Sequence, residues 1–104
     1  MFATIRRYES IDKARTDELV KKADETLVPS LSELPGFSGY YLIDTGNGVM
    51  SSISVFDTAD HADQSTRLAS NWVREQNLET VLPNSPKITS GEVVVNKTSE
   101  LVQA

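Results

Sequence analysis

The sequence contains no cysteine, and His61 is its single histidine. The absence of cysteine excludes disulfides, thiolate nucleophiles and thiolate metal sites. One histidine without a second His or Cys does not make a structural metal site. His61 follows Asp60 in what we predict to be the polar first turn of a helix, so we interpret it as a solvated surface residue. We therefore expect no metal and no resident cofactor.

Basic residues are also scarce, with 10 Lys and Arg against 15 Asp and Glu and a net charge of -5. A duplex-binding surface needs clustered Lys and Arg to replace counterions, so we expect no nucleic-acid partner. No apolar run approaches the roughly 20 residues that span a bilayer, which argues against a membrane protein. The first ten residues contain Arg6 and Arg7 and lack the apolar core of a signal peptide, so we expect a cytoplasmic location.

The clearest structural feature is the stretch 36–56, which predicts two β-strands joined by a tight turn. Asn47 and Gly48 tolerate the positive φ angles that a type I′ turn requires, and the flanks are rich in β-branched and aromatic residues. A two-residue turn fixes which side chains share a face of the hairpin. One face would carry Tyr40, Leu42, Ile53 and Val55. The other would carry Phe37, Tyr41, Ile43, Met50, Ser52, Ser54 and Phe56.

A strand and a helix are predicted before this hairpin. Residues 2–8 are β-branched and aromatic without Gly or Pro, and alternation places Arg6 and Arg7 on opposite faces of the strand. Apolar residues then recur at helical spacing from about residue 16 to Leu34. Pro29 lacks an amide hydrogen, so we expect a kink there.

A second helix and a last strand are predicted after the hairpin. Asp57 or Thr58 can cap a helix that runs to about residue 77, with a stripe of small residues ending at Trp72. Small side chains allow close packing on the sheet, or they leave a cavity for a ligand. Residues 88–97 alternate well enough for a strand, with Gly91 as a possible bulge.

The resulting order is β-α-β-β-α-β within a single domain of residues 1–97, followed by a C-terminal tail of residues 98–104. This order predicts an α+β, ferredoxin-like subunit, in which a four-stranded antiparallel sheet carries two helices on one face. Strands 1 and 3 would lie in the centre, with strand 2 beside strand 3 and strand 4 beside strand 1. Both hairpin faces are apolar, so we expect the open sheet face to meet a second copy in a homodimer.

At this point the chain resembles the dimeric α/β-barrel superfamily, in particular the antibiotic-biosynthesis-monooxygenase-like proteins. The resemblance covers residues 2–97. It rests on Thr4-Ile5-Arg6-Arg7-Tyr8, the Leu34-Pro35-Gly36-Phe37 junction, Tyr40-Tyr41 and Ser54-Val55-Phe56. It implies a homodimer with sheets packed face to face and a pocket between each sheet and its helices. Some relatives oxygenate polycyclic aromatic compounds without metal or flavin, others degrade haem, and many have no known activity.

The catalytic residues of these relatives do not carry over to this chain. They use an Asn on the first strand, a Trp near the start of the second helix and, in the haem degraders, a later His. The corresponding strand position holds Arg6, Trp72 falls about two turns too late, and His61 lies too early. We therefore expect no haem degradation by the known route, and the catalytic residues remain unknown.

Two functions stay open. In the first, the chain binds a small aromatic or polyketide-like compound and, if it is an enzyme, acts as a cofactor-free monooxygenase. The expected substrate-binding residues are Arg6, Tyr8, Tyr41, Ser54 and Trp72. In the second, the same residues are core and interface of a non-catalytic homodimeric module that senses a ligand or binds a partner. A cavity of a few hundred Å³ with an unpaired Arg supports the first, and a filled core with an arginine paired to Glu92 supports the second.

Overall fold

A computed structural model describes residues 1–97 and confirms the ferredoxin-like order of elements. The strands are β1 (Phe2–Tyr8), β2 (Phe37–Gly46), β3 (Val49–Phe56) and β4 (Lys87–Glu92). The helices are α1 (Thr16–Lys22), α2 (Val28–Ser32) and α3 (Ala59–Glu75). All strand pairs are antiparallel and the sheet order is β2-β3-β1-β4, as predicted. No helix in residues 1–97 is long and apolar enough to cross a membrane.

The burial pattern shows which sheet face meets the helices. Thr4 and Arg6 of β1 are buried, and they pair across the sheet with Ser54 and Ser52 of β3, which are also buried. Ile5, between them, points to the opposite face and is 40% exposed. No element of the described residues covers that opposite face. We call its apolar members the open face: Ala3, Ile5, Tyr41, Ile43, Ile53 and Val55.

The hairpin contains the predicted turn together with one extra residue. Asn47 and Gly48 have φ angles of 57° and 75°, as a type I′ turn requires. The pairing of β2 with β3 then shifts between Asp44 and Gly46, so Thr45 is a bulge. The Asp44 carboxylate accepts a hydrogen bond of 2.8 Å from the Gly46 amide, which stabilises this local geometry.

Because of this bulge, the predicted face assignment is wrong for residues 40–43 of β2. It is right for Phe37, which pairs with Phe56 because the register shifts a second time between Phe37 and Gly39. A shift of one residue turns every side chain of a strand to the other face. Tyr40 pairs with Ser54 and lies on the helix side, whereas Tyr41 pairs with Ile53 and lies on the open face. Leu42 is likewise on the helix side.

The first helical segment is interrupted before Pro29 by a π-helical turn, Ala23–Leu27. Leu19, Ala23, Leu27 and Leu31 are all buried and follow one another at intervals of four residues. In a regular α-helix each such step overshoots a full turn by about 40°. The wider π turn takes up this drift and keeps the four side chains on the core side.

The α3 helix begins and ends close to the predicted positions. The Thr58 hydroxyl caps it by accepting a hydrogen bond of 3.2 Å from the His61 amide. The small residues of its inward stripe are buried, as is Trp72. Close packing of α3 on the sheet follows from these small side chains.

The last strand is shorter than predicted. It ends at Glu92, so the prediction of a strand to residue 97 is wrong. Gly91 pairs with Ala3 without a register shift and is therefore no bulge. Val94 is 88% exposed beyond the strand end. The predicted tail of residues 98–104 lies outside the described residues.

Gly36, at the junction between α2 and β2, offers a test of local packing. Its φ is +78°, and an added Cβ would overlap the Asp57 carboxylate. We expect Gly36→Ala to lower the free energy of unfolding by more than the roughly 1 to 2 kcal/mol that left-handed backbone costs a non-glycine residue. Gly46→Ala is the matched control, because its φ is +89° and no atom lies within 4 Å of the added carbon. Equal losses in urea unfolding would show that the Asp57 contact has no effect.

Candidate functional site

The central residue of the candidate site is Arg6, in the middle of β1. Alternation along the strand points its side chain towards the helices, where it is 3% exposed. A buried arginine normally pairs with a carboxylate. Within residues 1–97 no carboxylate pairs with Arg6.

Neutral hydroxyl groups surround the Arg6 guanidinium instead. Its Nη1 donates to Ser54 Oγ at 3.2 Å, and its Nη2 donates to Thr66 Oγ1 at 2.7 Å and to Ser65 Oγ at 3.5 Å. The Ser65 and Thr66 hydroxyls donate in turn to the Ala62 carbonyl, at 2.6 Å and 3.3 Å. Their hydrogens are thus occupied by the helix backbone, and their oxygen lone pairs are free to accept from the arginine.

One donor of Arg6 remains unused. The Nε atom is buried and has no hydrogen-bond partner among the described residues. Burial lowers the pKa of Arg6, while neighbouring Tyr8 and Tyr40 raise it. An arginine keeps its charge in proteins, so the site contains a buried cation with a free donor.

An ion pair between Glu92 and either Arg6 or Arg7 is the predicted alternative to an unpaired arginine, and it is wrong for both residues. Glu92 contacts the amino terminus of Met1 at 3.3 Å. Arg7 lies on the other side of β1 and pairs with Glu9 at 2.9 Å.

A small cavity lies between the sheet and the helices, with Arg6 in its wall. Its lining is mostly apolar and comprises Arg6, Tyr8, Leu19, Ala23, Leu27, Tyr40, Leu42, Met50, Ser52, Ala69, Trp72 and Leu82. The centre of a water-sized sphere can occupy a volume of about 30 Å³ inside it. Since roughly 10 to 15 Å³ by this measure holds one water, the enclosed part suits a water or two, or one small functional group.

Two larger clefts adjoin this cavity. A cleft of about 280 Å³ borders the loop 83–86 and shares Arg6, Tyr8 and Leu82 with the cavity wall. A groove of about 480 Å³ lies between α1 and β2 and shares Tyr40 and other residues with it. A ligand whose functional group fills the enclosed part can therefore extend its body into one of the adjoining clefts.

Tyr8 and Tyr40 bring two phenol groups to the cavity wall. Burial raises the pKa of Tyr8, and Arg6 opposes this effect. Burial also raises the pKa of Tyr40, to about 12, with a further contribution from Tyr8. Both phenols are therefore protonated at neutral pH and can donate hydrogen bonds to a ligand oxygen.

Alkaline titration tests this description of Tyr40. We expect one tyrosine to ionise near pH 12, against the ordinary value of 10.0, and Tyr40→Phe to remove that step from the absorbance titration. The unfolded chain loses this proton first, so the free energy of unfolding should fall as the pH rises from about 10 to about 12. An unchanged titration in the variant would contradict the assignment.

Trp72 forms another part of the wall and ties α3 to the π turn. Its indole Nε1 donates to Thr26 Oγ1 at 2.7 Å, and the Thr26 hydroxyl donates to the Lys22 carbonyl at 2.6 Å. The ring is 8% exposed and belongs to the hydrophobic core. Trp72 thus contributes to both packing and cavity shape.

The structure brings together most of the residues that the sequence indicated. Arg6, Tyr8 and Trp72 line the cavity. Ser54 does not line it but accepts a hydrogen bond from Arg6. Tyr41 does not join them, because it lies on the open face and is 62% exposed. Its neighbour Tyr40 takes that place in the cavity wall. The local signal for this change is the Asp-Thr-Gly of residues 44–46, which favours a bulge.

His61 lies apart from the cavity. Its Nδ1 contacts the Asp57 carboxylate at 2.5 Å on the surface, and this hydrogen bond lowers the pKa of Asp57. Residues 1–97 contain no cluster of His, Asp or Glu side chains that would hold a metal ion.

Fold and site together define a small ferredoxin-like protein with an apolar cavity and a buried arginine between sheet and helices. No protein-family model and no curated protein matches the chain. Several solved structures share its fold. A monooxygenase from the gene ActVA-Orf6 of Streptomyces coelicolor, in complex with the ligand nanaomycin D, is 16% identical with a TM-score of 0.72, covering 95% of this chain and 92% of its own.

Two further structures extend this comparison. A mutant of MhuD with two manganese protoporphyrin IX molecules bound per active site is 16% identical with a TM-score of 0.74, covering 95% of this chain and all of its own. A dimeric ferredoxin-like protein from an uncultured marine organism is 15% identical with a TM-score of 0.64, covering 94% and 97%. The chain therefore shares the ferredoxin-like fold of these structures.

Proposed function

We propose that this protein binds a small aromatic or polyketide-like compound between its sheet and its helices. The observation that carries the proposal is an apolar cavity with a buried arginine in its wall, which pairs with no carboxylate of residues 1–97. Apolar walls with a few polar groups are typical of small-molecule sites. The nanaomycin D complex of the ActVA-Orf6 monooxygenase supports the same ligand class.

The chemistry that fits this site is monooxygenation without a cofactor. A bound substrate would place an oxygen atom against Arg6, Tyr8 and Tyr40, whose N–H and O–H groups stabilise negative charge that develops on it. Electrons for the reaction with O₂ would come from the substrate itself: the carbon that becomes a carbonyl loses two hydrogens, and the second oxygen atom leaves as water.

We propose that the protein acts as a homodimer through the open face. Ile5, Tyr41 and Ile43 are 40%, 62% and 42% exposed there, and exposed apolar patches of this kind mark interfaces. A two-fold axis would let the same patch cover itself. The dimeric ferredoxin-like neighbour supports this arrangement.

One observation favours the second candidate function, a non-catalytic dimeric module. The enclosed cavity of about 30 Å³ is far smaller than the few hundred Å³ expected for a whole bound aromatic compound. In this function the cavity residues serve packing, and the open face or the adjoining clefts bind the partner or sensed ligand.

Haem is not part of the proposal, although the MhuD neighbour binds a manganese porphyrin. His61 is paired with Asp57 on the surface and does not reach the cavity. We expect no shift in haem absorbance on mixing with the purified protein.

A thermal-shift screen with aromatic and polyketide-like compounds tests the binding site. A compound that binds only the native state raises the melting temperature in a concentration-dependent way. We expect this rise to be reduced in Tyr40→Phe and Trp72→Phe. Tyr41→Phe is the matched control, because Tyr41 is next to Tyr40 in the strand but points to the open face, away from the cavity. A compound that gives the shift would then be tested for oxygen consumption.

Two results would argue against this site and in favour of the non-catalytic module. One is that no compound raises the melting temperature, and the other is that the rise is equal in the Tyr40→Phe, Trp72→Phe and Tyr41→Phe proteins.

A further inference from the structure

We propose that the counterion of Arg6 is supplied by the ligand, so that the site selects organic anions over neutral compounds of the same shape. This inference rests on the proposed ligand site and specifies the charge of its occupant. The ligand class is an apolar body with one anionic oxygen group, either a carboxylate or a phenolate.

The first argument is the electrostatic state of Arg6. The guanidinium is 3% exposed, and removing a charge from water is costly unless an opposite charge or a full set of hydrogen bonds replaces the water. Its described partners are three neutral hydroxyls, and Nε has none. The site therefore contains one unbalanced positive charge.

The second argument is the way the hydroxyls are held. Ser65 and Thr66 are consecutive residues of α3, and both donate to the carbonyl of Ala62. This arrangement fixes two acceptors against one side of the guanidinium and adds no negative charge. Arg6 is thus positioned, but its charge is left available to a ligand.

The third argument is the space around the arginine. Arg6 lines both the enclosed cavity and the cleft of about 280 Å³ beside the loop 83–86. Tyr8 lines the same two spaces, and its protonated phenol is a second donor for an anionic oxygen. The small enclosed volume suits a single carboxylate or phenolate oxygen group, while the clefts have room for the apolar body.

Matched carboxylates and amides test the inference directly. Benzoate and benzamide, 2-naphthoate and 2-naphthamide, and octanoate and octanamide have nearly the same shape and differ in charge. Because hydrogen bonds to charged groups are stronger than neutral ones, we expect at least one carboxylate to bind at least about tenfold more tightly than its amide in calorimetry. In Arg6→Met this ratio should fall to about one. Arg67→Met, which removes an exposed arginine from α3, should keep it.

A phenolate is tested with 4-nitrophenol, whose anion and acid differ in absorbance. A nearby positive charge favours the ionised form, so the bound compound should titrate at a lower pH than the free compound. This shift should disappear in Arg6→Met. A shift here without a carboxylate preference would identify the occupant as a phenolate.

Thr66 provides a second variant in case Arg6→Met does not fold. Thr66→Asp places a carboxylate next to Arg6 and should abolish both the carboxylate preference and the 4-nitrophenol shift, while raising the melting temperature of the ligand-free protein. Thr66→Asn is the matched neutral control: its amide oxygen can still accept a hydrogen bond from Arg6, so it should reduce the preference far less than Thr66→Asp does.

The outcomes separate the inference from the proposed function. Amides that bind as tightly as their carboxylates, together with an unshifted 4-nitrophenol titration, would overturn the inference and leave the ligand site standing. A preference that survives in Thr66→Asp would also overturn it. If no compound of the set binds, both the inference and the proposed site fail.

Discussion

Replacement of Trp72 by alanine is expected to lower the free energy of unfolding by about 3 to 5 kcal/mol, the range for large aromatic side chains removed from a core. Trp72 is 8% exposed and contacts the π turn through its indole N–H. The variant loses the apolar contacts of the ring, leaves a cavity under α3 and gives up one hydrogen bond. Urea unfolding monitored by circular dichroism measures the change.

Two conservative variants divide this effect into its parts. Thr26→Val keeps the tryptophan and removes the hydrogen-bond acceptor, so a loss of about 1 kcal/mol is expected. Trp72→Phe keeps most of the bulk and should cost about 1 to 2 kcal/mol. A Trp72→Ala protein that loses ligand affinity at an unchanged melting temperature would show that Trp72 is a pocket wall without a core role.

Introduction of lysine at Ile5 and Ile53 is expected to dissociate the proposed dimer into monomers. These residues pair across β1 and β3 in the middle of the open face. A two-fold interface buries the same patch of both subunits, so the double variant places four positive charges in one apolar contact. We expect the dimer dissociation constant to rise by at least about a hundredfold. Sedimentation equilibrium would then report one 11.5-kDa chain instead of two.

The control for this experiment is Val20→Lys, which places a lysine on an exposed apolar residue of α1. It should leave the mass unchanged. Circular dichroism of the double variant must show the native helix content, so that dissociation is separated from unfolding. A wild-type mass of 11.5 kDa at micromolar concentration would contradict the proposed dimer.

Much of the fold could be predicted from periodicity. Three local patterns each determine one element. The alternation of residues 2–8 gives the first strand, the turn at Asn47 and Gly48 gives the hairpin, and the helical spacing that ends at Trp72 gives α3. Right-handed connections and short loops then leave essentially one sheet order. The end of β4 could not be predicted, because residues 93–97 alternate like a strand, but β1 begins at Phe2 and, of the described chain, only Met1 lies beside them.

The candidate site was less accessible to prediction. Trp72 lies on the inward stripe of a regular helix, so its direction follows from the helical period. For Arg6 the alternation shows only that it lies opposite Arg7, and which of the two faces meets the helices is seen only in the burial of the folded chain. Tyr40 was missed because the direction of a strand residue depends on every bulge between it and the turn. The partners of Arg6 come mainly from α3, about sixty residues away in the chain, and only tertiary packing shows that they are hydroxyls.

The bulge at Thr45 has a consequence for how such proteins diverge. One inserted residue decides which of two adjacent tyrosines faces the cavity and which faces outward. Loss or gain of a single codon at this hairpin would therefore exchange the inner and outer surfaces of a whole strand without any amino-acid substitution. The length of this loop therefore determines which tyrosine reaches the cavity as directly as the identity of the strand residues does.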